Sequence, residues 1–422
     1  MSSVVDRTYL ALFRQYPPLL RLAVITGAGQ IAFALLNVYA LPVYILSDLH
    51  FTGKALGAVS ATFLLTETAL KFPFGRFSDR LGRKPFIVLG PLLICLNPTV
   101  FAQLPARLWA LIFPLRALDG AGAAALWPPL FAMVGDLVRE RSRAAAMSVI
   151  NTIYAGAMGA AIALGALSVY ITHTNRSPFY LVTGLLVIGS ATAHFGIPKS
   201  AGSDHDPSGA PIASDLADPD PSRTNYSLPL VLLLSILMTL GVLMLSNFLV
   251  VYVTKELVQP LVDSGRLAAG TKLGLTSLYT GLLIGVLGIP VLLLGMPLGH
   301  AADRWGKSRA VRLSLTISAA VMWLIPSCRS IPAFAVVAVI LALSHILGTP
   351  AWLALVSGLA PRTRRGSVMG IVATAEGIGA VIAPLIGGWL WDIKPAYIFY
   401  GSAALLSVAA VVAMHALRKQ DD

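Results

Sequence analysis

Gly75–Lys84 reads GRFSDRLGRK, and Gly299–Ser308 reads GHAADRWGKS. The first stretch sets Gly75, Asp79, Arg80, Gly82, Arg83 and Lys84 at fixed intervals; the second repeats the spacing with Gly299, Asp303, Arg304, Gly306 and Lys307. A longer pair follows. Trp127–Met147, WPPLFAMVGDLVRERSRAAAM, is echoed by Thr349–Met369, TPAWLALVSGLAPRTRRGSVM, with Pro128 on Pro350, Arg143 on Arg365 and Met147 on Met369. The chain therefore carries one plan twice. Two similar halves in an apolar chain point to two pseudo-symmetric bundles with a site between them.

Working outward, the residues around these stretches are hydrocarbon-soluble. Of 422 residues 56% are hydrophobic and 12% charged, whereas soluble domains carry roughly 25% charge. Twelve apolar segments can be marked: 19–46, 54–74, 85–104, 107–135, 143–171, 177–197, 228–254, 271–298, 309–328, 331–359, 365–391 and 395–417. Each is long enough to cross a bilayer as a helix. Pro42, Pro73, Pro128, Pro297, Pro350 and Pro384 are expected to give local breaks. The fold class expected is an all-α integral membrane protein of twelve transmembrane helices in two six-helix bundles, 19–197 and 228–417. Between them, 198–227 is rich in Pro, Ser, Gly and Asp and reads as a flexible cytosolic linker. Residues 1–18 and 418–422 read as cytosolic tails.

Orientation follows from the cations. Arg76, Arg80, Arg83, Lys84, Arg139, Arg141, Arg143, Arg304, Lys307, Arg309, Arg312, Arg362, Arg364 and Arg365 fall in loops after segments 2, 4, 8 and 10. The opposite loops hold only Lys54, Arg107, Arg176, Lys255, Arg266, Lys272, Arg329 and Lys394. The richer side is expected in the cytosol, together with both termini, in the plasma membrane. This placement also accounts for the net charge of +12 without nucleic acid as a partner, since no basic patch is interleaved with aromatics. Cys95 and Cys328 lie in different halves and offer neither a metal spacing nor a disulfide framework. Trp305–Ser308, WGKS, lacks the upstream glycine and strand of a phosphate loop. Asn175–Arg176–Ser177 is a glycosylation sequon in an expected external loop, followed by Pro178.

The Gly75–Lys84 stretch resembles the loop between helices 2 and 3 of the major facilitator superfamily, roughly G-x-x-x-D-R-x-G-R-[KR]. The resemblance extends to helix count, linker and repeat. It implies that this loop latches the cytosolic side of an outward-facing state through a carboxylate–arginine contact. Arg80 and Arg304 are suited to hold a carboxylate with paired donors. LRALDGAGAAALWPP resembles the family's fourth-helix pattern R-x-x-Q-G-x-G: Arg116, Gly120 and Gly122 match, while Asp119 replaces glutamine. Helix 5, with AGAMGAAIALGAL at Ala155–Leu167, lacks the glycine–proline pair of the family's efflux members; helix 11 instead carries GIGAVIAPLIGG at Gly377–Gly388.

Charges inside the apolar segments mark candidate functional positions, because ionised groups are costly there. Arg116 and Asp119 are three apart, close enough to pair, and about 14–18 Å deep by helical rise. Glu67 lies about 12 Å above Gly75 by helical rise, with Lys71 one turn below, snorkelling towards the headgroups. Glu376 shares a face with Ala373, Ala380, Ala383 and Gly387, and is suited to carry a proton, or to pair with Arg116 or His345. Gln30, Asn37 and Tyr44 fall seven apart along helix 1; Asn151 and Tyr154 share a face of helix 5 with Met158. With Asn247 and His345 they outline a substrate cavity, although a single polar group in a membrane helix is more often interhelical glue.

The expectation is a secondary active transporter, not an enzyme, working by alternating access as a monomer in the lipid bilayer. It needs no cofactor and no metal, and is driven by an ion gradient, with protons as the coupling ion. Efflux of an amphipathic or cationic small molecule is the leading reading. Proton-coupled or facilitated uptake of a metabolite such as a sugar or organic ion is the alternative. A transport-inactive receptor or scaffold comes third, since it would leave both latch stretches idle. A polytopic lipid-modifying enzyme lacks catalytic residues.

Overall fold

The computed structural model describes residues 12–138, 140–197, 228–265, 272–358 and 365–417. Among them the chain forms twelve long helices and no strand. They are α1 (Pro17–Asp48), α2 (Gly53–Leu81), α3 (Arg83–Gln103), α4 (Ala106–Leu137), α5 (Glu140–Thr172) and α6 (Ser177–Gly196). After the interval follow α7 (Leu228–Ser246, resuming at 249–263), α8 (Lys272–Trp305), α9 (Lys307–Ser327), α10 (Ile331–Gly358), α11 (Arg365–Ile393) and α12 (Tyr397–Ala416). Ten of these helices contain a run long and apolar enough to cross a membrane. In α2 the run is diluted by Glu67, Lys71, Arg76, Asp79 and Arg80. The linker 198–227, the tail 418–422, most of the tail 1–18, and Arg139, Arg266, Arg362 and Arg364 lie outside the described residues.

The stretches read as latch loops are mainly helix. Gly75–Leu81 completes α2 and Gly299–Trp305 completes α8, so each connection shrinks to one glycine. Gly82 and Gly306 both adopt left-handed backbone, at φ 90° and 93°. Only glycine takes that conformation without steric cost, and the match shows that the repeat in sequence is a repeat in structure. The prolines do not end helices: α2, α4, α8, α10 and α11 run through Pro73, Pro128, Pro297, Pro350 and Pro384. Pro42 instead sits between two π-helical segments of α1, Leu35–Ala40 and Tyr44–Asp48. The missing proline N–H and its ring favour such local rewinding. A third π segment, Val253–Val258, lies in α7, the helix that opens the second half.

Two compact units emerge from the packing. The first takes the described residues up to Tyr44 and from Thr62 to the end of α6. The second joins α7–α12 to Ile45–Ala61, the end of α1 and the start of α2. Helices α1 and α2 are thus each divided between units. Helix contact in lipid depends on close fit more than on a hydrophobic drive, and glycines supply it here. A Cβ on Gly122 would lie 2.6 Å from Gly90 O of α3, and one on Gly120 would lie 2.9 Å from Glu67 N of α2. In the second unit Gly379 and Gly387 bring α11 onto α7, at 3.1 Å from Ile236 O and 2.8 Å from Met244 O. The buried stripe of α11 is Val372, Ala375, Gly379, Ala383 and Gly387; Ala373, expected on it, is exposed.

Candidate functional site

The close fit of α4 between α2 and α3 buries Arg116 and Asp119 in the first unit, each 1% exposed. They pair as their spacing suggested, Arg116 Nη1 to Asp119 Oδ2 at 2.8 Å. The second carboxylate oxygen, Oδ1, accepts from Asn97 Nδ2 at 2.6 Å, where α3 is interrupted after Ile94. Asn97 also donates to Leu115 O at 3.2 Å. Arg116 Nη2 donates to Asn37 Oδ1 at 2.5 Å, and the guanidinium lies 4.5 Å from the centroid of the Phe63 ring. Asn37 stands in the first π segment of α1 and donates back to Phe33 O at 2.9 Å. Such segments recur at functional sites because they re-aim side chains without ending a helix. Arg116 Nε has no partner, and a pocket at this cluster is lined by Gly29, Phe33, Asn37, Phe63, Arg116 and Trp127, among others.

Beside this cluster stands a second ion pair of different character. Glu67 of α2, 7% exposed, meets Lys71 Nζ at 2.9 Å, while the Lys71 side chain is 48% exposed. Asp119 has both oxygens held by buried donors, whereas Glu67 is held by a half-exposed cation. Tyr154 of α5 stands close to Gln30 and Glu67. Its ring stands edge-on to Trp127 at 5.2 Å and near Phe131 at 6.1 Å. Gln30 is buried, and its Oε1 has no partner.

The structure brings Gln30, Asn37, Glu67, Arg116, Asp119 and Tyr154 into one neighbourhood. It does not bring Tyr44, whose hydroxyl donates to Leu104 O at 3.2 Å and whose ring packs edge-on against Phe179. The intervening π segment breaks the seven-residue register that would have aligned it. Asn151 is exposed. In the second unit, Asn247 is buried at the break in α7; His345 is exposed, with Nε2 3.3 Å from Thr349 Oγ1 on its own helix. Glu376 is half-buried at the edge of the α11 stripe.

At the Gly82 turn, Arg83 rather than Arg80 grips the carboxylates. Its Nη1 lies 3.0 Å from Asp79 Oδ1, and its Nε bonds Asp136 Oδ2 near the end of α4. The reason is helical phase: Asp79 and Arg83 are one turn apart and share a face, while Arg80 points elsewhere and is exposed. Lys84 Nζ donates to Ile197 O at 2.6 Å, tying the turn to the end of α6. In the second copy Arg304 and Lys307 are exposed, and the side chain of Asp303 lies outside those described. Asn97, Phe63 and Asp136 escaped the sequence reading. Asn97 alone left a signal, an isolated amide within an apolar segment.

The family model described as Major Facilitator Superfamily matches residues 22–265 and 231–421. Multidrug resistance protein 1 of Bacillus subtilis is 24% identical over 371 residues, covering 86% of this chain and 87% of that protein. The gentisate transporter of Corynebacterium glutamicum is 26% identical over 404 residues, covering 92% and 86%. Among solved structures, a mutant form of the nucleoside transporter NupG superposes with a TM-score of 0.71 at 13% identity, covering 94% of this chain and 99% of its own.

Proposed function

The chain belongs to the Major Facilitator Superfamily of membrane transporters, and from that premise we propose that it exports an amphipathic, cationic small molecule in exchange for protons. The observation that carries this reading is Glu67: a buried carboxylate whose ion partner, Lys71, is itself half-exposed. A proton, an organic cation or the Lys71 ammonium can each neutralise it in turn, which is the competition an exchanger needs. Trp127, Tyr154 and Phe131 supply aromatic surface nearby, suited to an amphipathic cation. The Asp119–Arg116–Asn37 set is the fixed scaffold beside it, and Glu376 of α11, in the second unit, is the other acid in the proposed relay. Similarity to a multidrug resistance protein supports export. On this reading the cation-rich face is the cytosolic side of the plasma membrane.

The test uses purified protein in proteoliposomes with tetraphenylphosphonium as the probe cation. An imposed pH gradient should drive its uphill movement, and the probe should in turn drive proton flux. Probe movement indifferent to the pH gradient would remove the proton from the account. A second reading, proton-coupled uptake of an organic ion, is favoured by the similarity to a gentisate transporter over 92% of the chain; it requires counterflow with aromatic acids and none with the probe cation.

A further inference from the structure

Two charged residues hold the tip of the α1–α2 hairpin within the second unit, at the end remote from Gly82. The Asp392 carboxylate, at the end of α11, accepts from Gly53 N at 2.5 Å and from Lys54 N at 3.1 Å. These are N–H groups without helical partners at the start of α2, where the helix dipole is positive. Lys255, in the π segment of α7, donates to Leu46 O at 3.1 Å, in the π segment that closes α1. There the helix dipole is negative. Each charge thus meets the helix end of opposite sign.

Backbone fit reinforces the contact. A Cβ on Gly53 would lie 2.7 Å from Gly388 O, and one on Gly57 would overlap Pro384 O. Meanwhile the bodies of α1 and α2 belong to the other unit, with the division falling after Tyr44 and before Thr62. Alternating access requires the two halves to change their relation, so helices shared between units must release one of their attachments. The Gly53–Asp392 and Leu46–Lys255 hydrogen bonds are the polar part of this attachment, and both charged side chains are exposed. They are the attachment suited to letting go.

We propose that Asp392 and Lys255 are positioning residues of the transport cycle, which seal the face remote from Gly82 by clasping the two helix ends of the α1–α2 hairpin. The sidedness rests on the orientation proposed above, which makes this the external face. Removing a charge at an exposed helix end shifts such an equilibrium by about two- to fivefold. The sealed state should lose population by that factor, while the chain stays folded.

The experiment places one cysteine at Leu36, beside the Arg116 pocket, in a Cys95→Ser, Cys328→Ser background. Its labelling rate by a membrane-impermeant maleimide is measured from each side of the membrane, with melting temperature on the same preparations. Asp392→Asn and Lys255→Gln should each speed labelling from outside by about two- to fivefold, and Asp392→Glu, which keeps the charge, should stay near the parent. Unchanged labelling in all variants overturns the clasp. So does labelling raised equally from both sides with a lowered melting temperature, which marks general loosening. Acceleration only from the cytosolic side upholds the clasp but reverses the orientation. None of these readouts needs a substrate or a proton gradient, so they separate the clasp from the transport chemistry.

Discussion

Asp119 and Glu67 are both buried acids on neighbouring helices, yet their partners give them different work. Asp119 is saturated by Arg116 and Asn97, both buried. Asp119→Asn would leave the Arg116 cation without its carboxylate, at a cost of about 3–5 kcal/mol. Melting temperature and every transport mode should fall together; an unaltered melting temperature would mean another anion serves Arg116. Glu67→Gln strands only a half-exposed lysine, and should cost under about 1 kcal/mol. The pairing of Arg116 with Asp119 was legible from a three-residue spacing on one helix. The contacts with Asn97, Asn37 and Phe63 were not, because they join three other helices. Nor was the displacement of Tyr44: Pro42 announced a local break, but not that the helix would rewind into π segments on either side of it.

At the scale of elements, the helix boundaries were legible because an apolar run must end where charges resume. What that pattern hid was the tightness of the α2–α3 connection, reduced to Gly82 by continuation of the helix through Asp79 and Arg80. Arg83, joining Asp79 to Asp136, then becomes the clasp at that turn. Arg83→Ala should lose roughly 1 kcal/mol, about fivefold, from whichever state contains it. The check is initial transport rate at matched expression, and a rate equal to wild type would discount the clasp. The glycines permit a sharper contrast. An added methyl at Gly120 meets backbone of α2, so Gly120→Ala should destabilise by about 1–3 kcal/mol. At Gly75 it meets nothing within 4 Å. Gly75→Ala should leave the melting temperature unchanged, and any loss of transport would then report a close approach in another state of the cycle.

For the whole molecule, the repeat announced two halves, and the matched φ of Gly82 and Gly306 shows how closely the backbone keeps it. The sequence did not announce that the α1–α2 hairpin would be shared between units, since the polar residues at 48–54 mark only where one helix ends and the next begins. Transport as proposed turns on one exchangeable carboxylate, Glu67, which couples substrate to proton movement. A single preparation of Glu67→Gln in proteoliposomes tests it directly, by measuring tetraphenylphosphonium exchange and substrate-driven proton flux side by side. A glutamine mimics the protonated acid permanently and removes the anion for which the probe cation competes, so exchange and proton flux should both fall towards the level of protein-free vesicles, with the melting temperature kept. Proton flux equal to wild type, at equal protein content, would contradict that coupling and move the role to Glu376.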